Sequence, residues 1–412
     1  MFAARSFRFV LSLSVISAVS CRLLHVAHAA SYDPTAADYA GNAGQTLYVS
    51  KLGNNTNGSS WANAYTSIEA ALLAVPSAGG GNRVIVRPDT YKEANLYTAY
   101  KGAAGSYNAI VGDVDGLYGS GAKGRVVVDS GDPQGFKSQD WWSTIRANTY
   151  GWNGNTDPTF SAIDFDRWIF RDLYVTGSDA GLFFDLTDQS GSQFSVVVED
   201  CVGIGRAFGG GVAYPVTRVG EPSVFRNCYF MSLDTWGDAG AIAIGAFNAS
   251  KPSEPDVVFE NCTAVSPDNA VQVVYPSKDI SAKFTDCSLI SLNFSQPVGE
   301  PSTGTILCDG PASKLYLDLE DTTLVGYKVF GTGSDPNAIS YTLAGDVAAY
   351  VQFQQAVPDG IQRLSEFPVE ILDKLSPPYP APEPGSLSLL ICGLLGASVY
   401  TWFNWSTTRN PS

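Results

Sequence analysis

Four stretches decide how this chain folds: VVVEDCVGI at 196–204, VFRNCYFM at 224–231, VVFENCTAV at 257–265 and KFTDCSLI at 283–290. Each reads as apolar alternation, a polar residue, Asp or Asn, a small residue, and apolar alternation again. IFRDLYV at 169–175 and LDLEDTTLV at 317–325 extend the series in both directions. The Asp/Asn positions are Asp172, Asp200, Asn227, Asn261, Asp286 and Asp321, separated by 28, 27, 34, 25 and 35 residues. Unequal steps about a constant centre imply one fixed corner and connections of varying length elsewhere. Period-two patterning over short runs means strands whose alternate side chains face the same way. A strand, a polar corner and a second strand, repeated, suit a parallel solenoid, because one coil cannot bury its inner face alone and stacked coils can. Asp and Asn fit the corner because they tolerate left-handed backbone and hydrogen-bond nearby main chain.

The expected fold is therefore all-β: a right-handed parallel β-helix with a short N-terminal capping helix and a C-terminal transmembrane helix. Coils stacked about 4.8 Å apart place Cys201, Cys228, Cys262 and Cys287 in an inward ladder beside the corner. With Cys308 they make an odd number between the two ends of the chain, so they read as buried apolar fillers rather than a disulfide framework. A third strand follows each repeat, beginning at Gly181, Gly211, Ala241, Ala270 and Thr305. With Leu182, Val212, Ile242, Val271 and Ile306 pointing inward, alternation turns Phe183, Asp185, Ala213, Ala243, Gln272, Val274, Thr305, Leu307 and Asp309 outward. That outward set reads either as a surface for stacking sugar rings or as ordinary solvated sheet. Runs from Arg83, Asn108 and Gly124 look like the first coils. Ahead of them, Thr66 and Glu69 have capping-box spacing before an Ala/Leu-rich run, which predicts a helix over the open end of the stack.

The ends carry different signals. Residues 1–30 hold Arg5 and Arg8, an apolar run from Phe9 to Val19, and Ala27-His28-Ala29, the order of a secretory signal; a lipoprotein site at Cys21 is the weaker alternative. Removing this segment takes away three Arg and no acid, moving the formal net charge from -15 to -18. Both His residues, His25 and His28, leave with it, which excludes a Ser-His-Asp triad, His-ligated zinc and a His base in the mature chain. So acidic a surface repels nucleic acid, and also repels uronate polymers unless a cation or a local basic patch intervenes. The organisation expected is signal 1–30, extension 31–44, solenoid 45–345, C-terminal cap 346–375, Pro-rich linker 376–385 and apolar segment 386–412. Leu387 to Trp405 carries no charge and is long enough to span a bilayer.

Two resemblances add to this reading. Pro382-Glu383-Pro384, the apolar run and Arg409 resemble the PEP-CTERM sorting signal of exosortase-bearing bacteria. That resemblance implies export, exosortase-type sorting machinery as a partner, membrane contact through the C-terminal helix, and a place on the surface, outer envelope or matrix of a Gram-negative-type bacterium. Tyr48-Val49-Ser50, the turns from Gly53 to Gly58, Trp61, Ile68 to Leu72 and Val84 to Tyr91 resemble the N-terminal motif of pectin-lyase-like β-helix proteins. In that family the cleft runs along the outer face of one parallel sheet, between loops, and an extracellular polysaccharide is the implied partner.

The loops before the third strands hold Asp179, Arg206, Asp234, Trp236, Asp238, Asp268 and Asn269. Asp179, Asp234, Asp238 and Asp268 are the candidate ligands for Ca2+, which takes six to eight oxygens and no His. Asp234, Asp238 and Asp268 are candidate acids and bases for glycoside hydrolysis, and Arg206 or Lys278 the candidate base of a lyase. The bland reading is that Asp and Asn simply form turns there. No Asp-Asp pair, Arg-rich lyase motif or Arg-His-Gly element occurs, so an enzymatic assignment rests on fold analogy. Two functions stay open: a surface-anchored β-helix that binds and cleaves polysaccharide, and a non-catalytic structural or adhesive rod.

Overall fold

The computed structural model describes residues 44–377 except 77–78, 95, 131–164, 187–191, 214–215, 234–238, 246–253, 275–277, 295–302, 309–313, 334 and 355–356. The expected signal and sorting segments therefore lie outside the described residues. Among the described residues no helix is long and apolar enough to cross a membrane.

Nearly every element is a strand, and all strand pairs are parallel between successive coils. One sheet of ten described strands runs in chain order from Thr46–Val49 to Ile339–Ala344. A second, larger sheet bends into two arms. Leu173–Asp185 and Val202–Ala213 are long enough to pass through the bend. One arm continues from Val202–Ala213 to Tyr229–Ser232, Thr263–Ser266, Ser288–Ser291, Thr323–Gly326 and Ala348–Val351. The other continues to Gly240–Gly245, Asn269–Val274, Ile306–Cys308 and Phe330–Thr332. Below they are the second and third arms; the ten-stranded sheet is the first face of the solenoid.

All six expected corners are corners. Asp172, Asp200, Asn227, Asn261, Asp286 and Asp321 take φ between 46 and 58 degrees, the left-handed region. Each turns the chain from the first face into the second arm. Their N–H groups donate to the following coil, as in Asn227 N to Glu260 O at 2.9 Å. The side chains stack as well: Asn261 Nδ2 donates to Asn227 Oδ1 at 3.0 Å, and Asn227 Nδ2 to Asp200 Oδ1 at 3.1 Å.

The residue after each corner explains the cysteines. Cys201, Cys228, Cys262 and Cys287 are buried free thiols in the interior cluster. Each Sγ lies within donor distance of two main-chain carbonyls, for Cys262 those of Phe225 at 3.4 Å and Glu260 at 3.3 Å. The next coil has Thr322, whose hydroxyl makes the same two contacts, to Phe284 O and Glu320 O. The rung thus calls for a small side chain with a weak donor beside carbonyls the corner exposes. Deeper inside, Phe225, Phe259 and Phe284 stack at 4.9 Å with nearly parallel planes. Leu182, Val212, Ile242, Val271 and Ile306 all belong to the same core, as alternation requires.

Two local details differ from expectation. The helix is Ile68–Leu73, and its cap is Ser67, whose side chain accepts from Ala70 N; the reciprocal carboxylate comes from Glu93, which accepts from Ile68 N at 2.7 Å and Glu69 N at 2.9 Å. Thr66 therefore does not cap it: its own N–H donates to Asn55 Oδ1. Ile68, Ala71 and Leu72 do enter the core at the first coil. At the other end, winding continues past residue 345, since Ala348–Val351 and Gln362–Arg363 add two more strands to the second arm. The segment after them turns back along the outside of that arm rather than only closing the end.

Candidate functional site

Each strand of the second arm has an inner and an outer row. Backbone register aligns Thr90, Val127, Tyr174, Val202 and Tyr229 on the outer row, and Ile204, Met231, Val265, Ile290, Val325 and Tyr350 on a neighbouring outer row. From Val127 to Tyr350 these residues form a second apolar cluster, separate from the interior.

The two halves of this outer face are finished differently. Over the C-terminal coils lies the returning segment 364–375. Ile371 and Leu375 join the cluster, Phe367 meets Tyr350 edge-on at 5.4 Å, and Lys374 Nζ donates to Ser288 Oγ at 2.7 Å. Over the first coils lies an open groove of about 470 Å³ lined by Pro88, Asp89, Thr90, Lys123, Gly124, Arg125 and Val127. Its basic wall is built by the loop 113–124. The Asp113 carboxylate accepts from Tyr118 N at 2.8 Å and Ser120 N at 2.9 Å, and Gly124 N donates to Val114 O at 2.9 Å. This bracing sets Lys123 at the rim, exposed, and Arg125 half-buried below it. The Arg125 guanidinium sits 5.4 Å from the centre of the Tyr174 ring, a cation–π arrangement. Lys51 pairs with Asp89 and Lys92 with Asp129, so the acids around the groove are largely neutralised.

Tyr174 and Tyr229 stand two coils apart beyond the groove. Both hydroxyls are buried, and neither has a hydrogen-bond partner among the described residues. Burial raises both phenols; at Tyr174 the Arg125 charge opposes the rise, and at Tyr229 the neighbouring Tyr174 adds to it.

The residues singled out from the sequence are distributed as follows. Asp179 and Arg206 meet on adjacent coils in the bend between the arms, in a two-point ion pair, Nε to Oδ1 at 2.7 Å and Nη2 to Oδ2 at 3.0 Å. Asp268 lies on the same bend, buried; its N–H donates to Ser266 Oγ at 3.0 Å and its carbonyl accepts from Ser291 Oγ. Register carries Ala180 to Phe208, Gly240 and then Asn269, so Asp179 and Asp268 are three coils, about 14 Å, apart. One calcium with ligands at about 2.4 Å cannot be shared across that gap, so the expected four-acid set does not assemble around a single ion. Asp234 and Asp238 lie outside the described residues. Among the described residues no three His, Cys, Asp or Glu side chains gather as a metal site. Lys278 precedes Ile280–Thr285, a strand of the first face.

The outward set on the third arm is neither a solvated sheet nor an open stacking surface. Phe183, Ala213, Ala243 and Val274 form a buried cluster with Ala180, Ala207 and Phe208, while Asp185, Gln272 and Leu307 are buried too. Asp309 is outside the described residues. The groove residues Lys123 and Arg125 were missed. The one available signal was two cations within the run KGRVVVD, ending a Gly-rich loop in an acidic chain.

No family model matches the sequence, and no curated protein matches it. Solved structures do resemble the fold. A pectate lyase, Pel9A, superposes with a TM-score of 0.47 at 14% identity, over 78% of this chain and 75% of its own. A rhamnogalacturonan lyase gives 0.43 at 13%, over 74% of each chain. The pectin methylesterase PemA from Erwinia chrysanthemi gives 0.31 at 12%, over 77% of this chain and 92% of its own.

Proposed function

We propose that this chain is an exported, right-handed β-helix that binds an extracellular polysaccharide, anchoring acidic sugars in the groove at the start of the second arm. The observation that carries the reading is local charge reversal: a chain of formal net charge -15 presents Lys123 and Arg125 together in an open groove whose acids already have partners. A guanidinium fork and a mobile ammonium are the groups that recognise carboxylate or sulfate, and they draw the polymer in against the overall field. The right hand follows from the strong preference of parallel crossovers.

The test is affinity electrophoresis against a panel of neutral, carboxylated and sulfated glycans, with Lys123→Ala/Arg125→Ala alongside. Salt-sensitive binding of the anionic glycans is expected, weakened about tenfold or more in the double variant, the effect of losing roughly 1.4 kcal/mol of charge-assisted contact. Equal behaviour of the two proteins, or no binding to any glycan, rejects the groove.

Cleavage is the finer part of the proposal. Asp268, Asp234 and Asp238 serve as its acids and bases; unsaturated or reducing ends released by the wild type and lost in Asp268→Ala would support it. The Arg206–Asp179 pair favours the second reading, a non-catalytic rod, because a guanidinium held at two points by a carboxylate is poorly placed to take a proton. Export through residues 1–30 and sorting through 386–412 complete the proposal; N-terminal sequencing and cell fractionation of the mature protein check both.

A further inference from the structure

The groove occupies the first two coils of the second arm and goes no further. Asp89–Tyr91 is the first strand of that arm and pairs only with Val126–Asp129 among the described residues. Tyr91 and Val128 belong to the core, so alternation turns three short rows outward: Pro88 with Arg125, Thr90 with Val127, and Lys92 with Asp129. The middle row is the floor, and the lining stops at Val127.

Each side of this floor is bounded. Upstream along the strands, loop 113–124 sets Lys123 and Gly124 beside Arg125. Two tethers from earlier coils keep that loop in place, Trp61 Nε1 donating to Tyr118 O at 3.0 Å and Arg87 Nε to Ser120 O at 3.4 Å. Downstream, the Lys92 ammonium and the Asp129 carboxylate join across the two coils as a bar. Toward the N-terminal end of the solenoid stands Lys51. It comes from the coil before, since it follows Thr46–Val49, which pairs with Arg83–Val86. Its ammonium donates to Thr90 O, pairs with Asp89 at 3.2 Å and lies 5.5 Å from the centre of the Tyr91 ring. Toward the C-terminal end the row of the floor continues in Tyr174 and Val202. Both are buried and neither lines the groove; Arg125, set against the Tyr174 ring, marks the limit. A floor two coils long spans about 10 Å. Its volume of about 470 Å³ lies toward the small end of ligand pockets, which run from roughly 300 to 1,000 Å³.

We infer that this groove takes the end of an acidic glycan chain, one or two sugar units, and not a stretch within it. The inference rests on the glycan reading proposed above and narrows it. A chain lying through the groove must leave by two sides, and every side carries a residue held by an ion pair, a hydrogen bond or a ring. A chain end needs one exit, and the open top supplies it. Charge favours the same outcome. Lys123 and Arg125 both act within the two coils, so further acidic units would meet the field of a chain of formal net charge -15 and gain nothing.

Isothermal titration of the full chain with graded oligosaccharides is the test. Two series are used, uronate and sulfated galactose, at one, two, four and eight units, together with the long polymer of each. In at least one series affinity should rise from one unit to two and then stay level to within about twofold. The polymer should saturate at one protein per chain, since the two ends of a glycan differ. Affinity that keeps climbing from two units to eight, or several proteins per polymer chain, overturns the inference and leaves the glycan reading standing. No binding in either series rejects the groove as a glycan site altogether. Lys92→Ser/Asp129→Ser removes the downstream bar, both partners together so that neither charge is left alone. In this variant the eight-unit ligand should bind about threefold more tightly than the two-unit one. A variant shown by thermal melt to be folded, with affinity still level beyond two units, also overturns the inference.

Discussion

The inward row of the stack and the outer row of the second arm are built by the same coils, yet they are stabilised by different kinds of partner. Inward, Cys262 meets Cys228 and Cys287, and Phe259 meets Phe225 and Phe284, each residue completed by its equivalents one coil away. Outward, Val127 and Tyr174 border a loop from 113–124, and Ile290, Val325 and Tyr350 are covered by 364–375. The inside is a repeat, and the outside is a set of separate arrangements. Repetition makes the interior tolerant of loops of any length, whereas each stretch of exterior depends on one particular segment arriving.

Four variants probe that difference, beginning with the largest effect. Phe259→Ala removes the middle ring of the stack and should cost about 3–5 kcal/mol in denaturant unfolding, because both neighbours lose their packing and the rod interior collapses poorly. An effect below about 1 kcal/mol would mean that the interior is not continuous. On the outside, Ile371→Ala should cost about 2 kcal/mol, and the damage should be local. Hydrogen exchange should quicken in 364–375 and in Ser288–Ser291 while the corners stay protected. Loss of corner protection as well would erase the distinction between the rows.

Asp172 sharpens the comparison at the corner. Burial first, then the Asp200 carboxylate one coil on, raise its carboxyl to about 6. Raised above its unfolded value, the group binds its proton more tightly in the folded chain. Its cost is therefore absent below about pH 4, grows as pH rises through 6, and is complete at pH 7. Asp172→Asn keeps a residue suited to φ of 58 degrees and should add about 1 kcal/mol at pH 7, the shift being discounted for solvent screening. Below pH 4 it should add nothing, and a pH-independent gain would assign the effect to backbone rather than charge. The smallest effect belongs to Tyr229→Phe. Its hydroxyl is buried without a partner among the described residues, so its removal should be neutral or stabilising by up to about 1 kcal/mol. A clear loss of thermal stability would reveal a bond to that oxygen.

Legibility divided along the same line as the two rows. All six corners, the thiol ladder and the inward residues of the third arm could be read because each is local: left-handed Asp or Asn, a period of two, and a constant offset between them. The helix was readable but its cap was not, since Glu93 reaches Ile68 and Glu69 from 24 or more residues away. Asp179 and Arg206 were picked as separate chemical candidates and turned out to be each other's partner, a pairing set by coil stacking. Lys123 and Arg125 sit in a run that reads as strand and loop, and nothing within it announces a groove.

From the amino-acid order alone came the parallel winding, the inward face and the identity of the corner, because these repeat and each copy reinforces the next through neighbours at a fixed spacing. Only the folded chain decided which outer surfaces are covered and which charges meet. Those outcomes depend on segments far apart in sequence meeting across coils whose connecting loops differ in length, and no local pattern records where such loops come to rest.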